Sequence, residues 1–156
     1  MERREFMHKG AELAALGLAA GGGALPVAAA AADAPGWNRA AFEAHSLADV
    51  VKALGGGPAT ESREVLLQAP EIAENGAVVR IGVQSQLPGT TQVALLVDKN
   101  PNALAALFDI PAGTEASVAT NVKMNQSSRV YALAKAGDRF FYAVREVQVT
   151  LGGCGG

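Results

Sequence analysis

Cysteine, histidine and aromatic residues are scarce in this 156-residue chain, which has one cysteine, two histidines, one tryptophan and two tyrosines. A single cysteine excludes an internal disulfide, and with only His8 and His45 beside it a His- or Cys-based metal site is very hard to assemble. Few aromatic side chains leave little for a base-stacking platform, and a formal net charge of -2 provides no basic field for nucleic acid. We therefore expect no metal and no resident cofactor, and chemistry that is simple or is supplied by other proteins.

The N-terminal stretch predicts export. Residues 10–32 are almost all alanine, glycine and leucine, and they follow the adjacent arginines Arg3 and Arg4. A basic start, an apolar run and an alanine-rich end are typical of a cleavable signal peptide, here residues 1–32. A membrane anchor is disfavoured, because alanine and glycine are weakly lipophilic and Pro26 breaks a helix. Arg3-Arg4-Glu5-Phe6 resembles a twin-arginine signal, which carries folded cargo, so we expect a periplasmic protein whose mature chain begins close to Asp33.

The mature domain, residues 33–151, is predicted to be a small β-sandwich. Asn38 can cap a short helix that runs through Phe42, and Ser46 can cap a second helix that ends at residues 55–58. About seven short strands with turn signals roughly every ten residues predict an all-β, immunoglobulin-like antiparallel sandwich. The predicted strands are 65–68, 78–84, 92–98, 104–108, 118–124, 130–135 and 140–151, of which 104–108 could also be helical.

Two of these strands carry more apolar side chains than one small sheet face needs. Residues 93–97 and 140–144 are apolar on both faces of their strands. An apolar face left in water would favour association, so we expect the chain to be poorly soluble or self-associating without a partner.

The chain ends in four glycines around its one cysteine: Gly152, Gly153, Cys154, Gly155 and Gly156. Because glycine visits most backbone conformations, residues 152–156 are predicted to form a flexible arm that reaches at most about 17 Å. A buried structural cysteine is the plain alternative, but Cys154 has no apolar neighbours in the arm with which to pack. We therefore interpret Cys154 as an exposed, functional thiol.

Nothing in the arm activates this thiol. Residues 152–156 contain no lysine or arginine, and the terminal carboxylate lies two residues away, so we expect a thiol pKa near or above its usual value of about 8.5. His45, the one histidine of the mature chain, is expected on a surface helix, solvated rather than paired with Cys154. The arrangement predicts a group on which other proteins act, not an enzyme.

Three stretches resemble a known family. The ending VTLGGCGG, residues 149–156, resembles the VTIGGCGG ending of the SoxY family, and APEIAENGAVV, residues 69–79, is similar to that family's PEIAENGAVVP segment. Asn100-Pro101 and the twin-arginine start agree, so the resemblance covers essentially the whole chain. The family supplies the sulfur-carrying subunit of the SoxYZ complex in bacterial thiosulfate oxidation.

The resemblance implies an immunoglobulin-like subunit that pairs with SoxZ and is exported with it. It also implies that Cys154 is the site of covalent sulfur attachment. The cytochrome SoxAX would couple thiosulfate to Cys154 as an S-thiosulfonate, and the manganese hydrolase SoxB would release sulfate and leave a persulfide. SoxCD, where present, would oxidise that sulfur further.

Two other functions fit parts of the sequence. A ubiquitin-like sulfur carrier would use the Gly155-Gly156 carboxylate, but it needs ATP-dependent adenylation in the cytoplasm, against the signal at Arg3-Arg4, and it leaves Cys154 without a purpose. A non-carrier immunoglobulin-like binding module in the periplasm would use Cys154 for an intermolecular disulfide, and the predicted fold permits this.

Overall fold

Two short helices open the part of the chain that the computed structural model describes, residues 37–150. Helix α1 (Arg39–Phe42) begins after Asn38, whose side chain accepts a 3.0 Å hydrogen bond from the Ala41 amide. Helix α2 (Leu47–Ala53) begins after Ser46, whose hydroxyl accepts from the Asp49 amide at 3.1 Å. These caps satisfy amides that have no partner within the first turn, so both helices begin where the sequence predicts.

Nine strands follow within the described residues, and they include all seven of the predicted ones. The predicted bounds agree within two residues, and the ambiguous run at 104–108 is a strand. The predicted last strand ends at Val149, and Leu151 lies outside the described residues. The strands are β1 (Thr60–Glu61), β2 (Val65–Gln68), β3 (Ile72–Ala73), β4 (Val79–Ser85), β5 (Thr90–Val97), β6 (Leu104–Asp109), β7 (Ser117–Val122), β8 (Ser128–Ala136) and β9 (Arg139–Val149).

The strands form two sheets, which confirms the predicted all-β, immunoglobulin-like fold. The larger sheet has the order β1-β9-β8-β5-β6, with β3 also paired to β9, and the smaller sheet has the order β2-β4-β7. Pairing is antiparallel except where β1 and β3 each run parallel to β9 over two residues. Between β1 and β3 the chain leaves the larger sheet to form β2, so the edge of β9 is covered at two separate places.

Residues 93–97 of β5 are buried on both faces of the larger sheet, and this bears on one expectation from the sequence. Val93, Leu95 and Val97 of β5 pack in the core between the sheets, whereas Ala94 and Leu96 pack in a second cluster with residues of α1 and α2. The apolar pattern of residues 93–97 is therefore satisfied within the chain, because the short helices cover the outer sheet face. Residues 93–97 therefore give no reason to expect self-association, whereas Val144 of residues 140–144 is 37% exposed, and self-association stays a prediction. Neither helix of residues 37–150 is long and apolar enough to cross a membrane.

Candidate functional site

The structure describes the base of the predicted arm rather than the arm itself. Cys154 and the arm glycines (Gly152, Gly153, Gly155 and Gly156) lie outside the described residues, as do Arg3 and Arg4 of the predicted signal. Val149 and Thr150 are the last described residues before them, and we call these two residues the arm root. Their surroundings define where the chain enters the segment that carries the thiol.

The arm root continues the longest described strand. β9 spans 11 residues and pairs with β8 from Arg139 to Val147, and the side chain of Val147 is fully buried. Pairing along such a length fixes the direction of the strand, because each ladder hydrogen bond must break before the strand can turn. The chain therefore reaches the arm root on a rigid element.

On one side, β3 and its flanking residues hold the arm root. The Gln148 amide donates to the Glu71 carbonyl at 2.9 Å, and the Thr150 amide donates to the Ala73 carbonyl at 3.0 Å. These bonds belong to the parallel pairing that places Ala73 opposite Val149. The segment that the sequence analysis matched to PEIAENGAVVP thus lies directly against the root.

On the other side, a serine side chain replaces the missing strand partner. The hydroxyl of Ser127 accepts a 2.9 Å hydrogen bond from the Val149 amide and lies 3.5 Å from the Val149 carbonyl oxygen. Ser127 precedes β8, so this contact extends the β8–β9 pairing past the last paired residues, Ser128 and Val147. The root is held from both sides.

Gly76 packs directly against the arm root, with no room for a side chain. The Met124 amide donates to the Gly76 carbonyl at 2.7 Å. A Cβ added to Gly76 would lie 2.5 Å from the Met124 carbonyl oxygen and 2.9 Å from Cγ1 of Val149. Only glycine fits, because no real Cβ approaches other atoms so closely. The Asn75 side chain accepts from the Ala77 amide at 3.0 Å and shapes this turn.

The neighbouring loops are connected by hydrogen bonds from Asn100 and His45. Nδ2 of Asn100 donates to the Lys123 carbonyl at 2.7 Å, and Oδ1 of Asn100 accepts from the Asn125 amide at 3.3 Å. Nδ1 of His45 lies 2.7 Å from the Pro101 carbonyl oxygen and must donate there. His45 lies between the two helices rather than on one, which corrects its predicted position, and its side chain is exposed with the ring bonded to backbone.

Acidic and basic side chains both lie near the root, and the exposed Arg80 directly follows residues 69–79. Glu71 and Glu74 are exposed, and residues 69–79 contain no lysine or arginine, although the Arg145 guanidinium donates to the Ala69 carbonyl at 2.9 Å. Within residues 37–150, no three or more His, Cys, Asp or Glu side chains are grouped as ligands for a metal ion.

Sequence reasoning predicts a thiol site at Cys154, which lies outside the described residues, and it missed the residues that hold the arm root. Ser127 and Gly76 received no role, and residues 69–79 supported a resemblance without a structural reason. The Asn75-Gly76 pair predicts a turn. It could also have indicated the packing at the root, since a glycine can mark a close approach of two chain segments.

These features define a β-sandwich protein in which the end of a long strand is held from two sides just before the residues that include Cys154. A family model described as "Sulfur oxidation protein SoxY" matches residues 51–154, about two-thirds of the chain, and Cys154 is its last matched residue. The chain therefore belongs to the SoxY family.

Two solved structures are similar to the chain. The sulfur carrier protein SoxY from Chlorobium limicola f thiosulfatophilum is 32% identical with a TM-score of 0.60, and the match covers 65% of this chain and 93% of that one. One chain of a structure on T cell specificity and activation by the bacterial superantigen toxic shock syndrome toxin-1 is 14% identical with a TM-score of 0.40, and the match covers 55% of this chain and 99% of that one. A comparison with curated proteins finds no match.

Proposed function

We propose that this chain is a periplasmic sulfur carrier that holds thiosulfate-derived intermediates covalently on Cys154 and presents them to partner enzymes. The observation that carries the proposal is the family match that extends to residue 154, on a chain whose arm root is held from two sides. The solved relative is named a sulfur carrier protein, which supports the same role here.

The proposed loading step is an oxidative coupling. The Cys154 thiolate forms a sulfur–sulfur bond with the outer sulfur of thiosulfate and gives an S-thiosulfonate. One proton leaves the thiol, and two electrons pass to a c-type cytochrome partner of the SoxAX kind. Hydrolysis by a SoxB-like partner then breaks the bond between the outer sulfur and the sulfonate. Water supplies the fourth oxygen of the released sulfate, two protons are released, and a persulfide anion remains on Cys154.

The chain's own contribution is presentation rather than catalysis. A catalytic nucleophile needs an adjacent base, whereas the described groups that contact the root are the Ala73 carbonyl, the Ser127 hydroxyl and Gly76. We propose that a SoxZ-like subunit completes the carrier and that SoxCD, where present, oxidises the persulfide. No cofactor other than the sulfur adduct is required of this chain.

Intact-mass spectrometry of the exported protein, purified with its partner subunit from thiosulfate-grown cells, tests the proposal. We expect free thiol, S-thiosulfonate and persulfide forms, all absent from Cys154→Ser. A matched control adds Gly156→Cys to that variant, which restores a thiol about 7 Å further along the arm. We expect this control to react with an alkylating reagent but to load sulfur poorly. A stable disulfide to one protein, without small sulfur adducts, would support the binding-module alternative instead.

The arm glycines are proposed to give the thiol access to several pockets. Replacement of Gly152 and Gly153 by proline restricts φ and adds bulk, so turnover with partner enzymes should slow while the melting temperature is unchanged. Deletion of Gly155 and Gly156 should also reduce access for the partners, with little effect on folding. Normal turnover in both variants would contradict this role.

Export by the twin-arginine route is proposed from residues 1–32. Replacement of Arg3 and Arg4 together by lysine should leave the protein in the cytoplasm, because this route requires the arginine pair. Fractionation followed by N-terminal sequencing measures this, with a mature start close to Asp33 expected for the unchanged chain. Normal export of the double-lysine variant would refute the route.

A further inference from the structure

Two apolar side chains beside the arm root are unusually exposed. Ile72 is 60% exposed and Val78 is 58% exposed, more than any other large hydrophobic side chain in residues 37–150. Their neighbours Ala73 and Val79 are only 7% and 2% exposed. The segment is thus well packed, and it directs these two side chains into solvent.

Because the arm is short, any enzyme that acts on Cys154 must come close to the surface around the arm root. The thiol residue lies four residues beyond Thr150, so an extended chain carries it at most about 14 Å from the root. A pocket that receives Cys154 must bring its mouth within that distance. The residues around the root therefore face the rim of the pocket.

The charge of this surface fits such a rim. An S-thiosulfonate is an anion, so a pocket that binds it must be electropositive. Glu71 and Glu74 present two exposed carboxylates beside Ile72 and Val78, with the exposed Arg80 directly after the segment and the Arg145 guanidinium at the Ala69 carbonyl. Opposite potentials across an interface mainly raise the association rate, and salt weakens them.

We propose that Glu71, Ile72, Glu74 and Val78 form a docking collar for the electropositive pocket mouth of the enzyme that hydrolyses the anionic adduct. The apolar pair seals against the rim, and the carboxylates steer the approach. This inference rests on the proposed carrier function, and it adds a recognition role for the body of the domain. The arm alone would then be a poorer substrate than the arm on its domain.

Steady-state kinetics of the hydrolase on the Cys154-loaded carrier complex test the collar. For the double variant Ile72→Ser and Val78→Ser we expect KM to rise about tenfold with kcat unchanged, because the contact precedes the reaction. The matched control is Leu66→Ser with Val144→Ser, two side chains that are 36% and 37% exposed elsewhere. A loaded peptide of residues 151–156 should show a KM at least as high as that of the collar variant.

The charge component has its own readout. Glu71→Gln with Glu74→Gln should lower kcat/KM at low ionic strength and have little effect at high salt. Melting temperatures of the collar variants should stay close to that of the unchanged complex, since these side chains are mostly exposed, whereas the Leu66/Val144 control should melt somewhat lower because about two-thirds of each side chain is buried. An unchanged KM in the Ile72/Val78 variant, or a rise equal to the control, refutes the collar while leaving the carrier role intact. Absence of any sulfur adduct on Cys154 refutes the carrier role and the collar with it.

Discussion

Substitution of Gly76 by alanine tests whether the arm root is packed as described. The added methyl group would meet the Met124 carbonyl oxygen at 2.5 Å and Val149 Cγ1 at 2.9 Å. The carbonyl cannot retreat freely, because the Met124 amide of the same residue donates to Gly76 at 2.7 Å. Val149 cannot retreat freely either, because its amide is bound to Ser127. Something in the root must shift.

The expected cost follows from overpacking a site with little room to relax. Such substitutions cost about 1–3 kcal/mol, which for a domain of this size lowers the melting temperature by roughly 4–12 °C. The matched control is Gly57→Ala, where an added Cβ has no atom within 4 Å. It should be neutral or stabilise by about 0.4–1 kcal/mol through the unfolded chain.

Calorimetry of the carrier complex gives the global effect, and amide hydrogen exchange gives its location. If the strain is relieved by opening the root, the Val149 and Thr150 amides should exchange about 5- to 100-fold faster than in the unchanged chain. Amides in the middle of β5 should change only with global stability. A Gly76→Ala protein that melts and exchanges like Gly57→Ala would refute the packing described for the root.

Three further substitutions probe separate parts of the domain. Ser127→Ala removes the acceptor for the Val149 amide and should cost about 0.5–1.5 kcal/mol, with faster exchange of that amide and rescue by threonine. Gly56→Ala drives a methyl group into the buried Phe140 ring, so it should lower the melting temperature by a similar mechanism to Gly76→Ala yet leave root exchange unchanged apart from global stability. Burial, followed by the charge of Asp98, raises the pKa of Tyr131. The contribution of Tyr131 to stability is therefore present below about pH 10 and is lost as pH rises through its pKa in the folded protein. Tyr131→Phe should make the loss of stability at alkaline pH less steep, which unfolding followed by tyrosinate absorbance measures.

Much of the fold was predictable because its signals are local. Asn38 and Ser46 lie where a side-chain oxygen can reach an amide three residues away, so the sequence alone places both caps. Alternation in β4 and β7 likewise follows from a strand with one buried face. What failed was the meaning of the apolar run in β5. Periodicity shows that two faces are covered, but not whether the cover comes from a partner or from helices of the same chain.

The arm root was not predictable for a related reason. β3 has only two residues and pairs in parallel with a strand more than 70 residues away, so neither its length nor its surroundings give a strand signal. The bond from the Val149 amide to Ser127 also joins residues far apart in the sequence. Cys154 is predicted as a site because a single cysteine among glycines is itself unusual. The residues that hold the arm root are ordinary ones, and their roles depend on tertiary contacts.

The entropy of a flexible chain shows how much the contacts at the arm root contribute to bringing the thiol to a partner enzyme. If β9 frayed back by four residues, the chain between the domain and Cys154 would double in length, and bringing the thiol to a given point would cost about 0.6 kcal/mol more, a factor of about three. That is a small penalty beside the roughly tenfold effect expected of a docking surface. The contacts of Ser127, Ala73 and Gly76 with the arm root therefore matter less for keeping the thiol close to the domain. They matter more for keeping the thiol beside the docking collar. On this reasoning, Gly76→Ala should raise the hydrolase KM by more than threefold, because a frayed root also separates the thiol from the collar that the enzyme recognises.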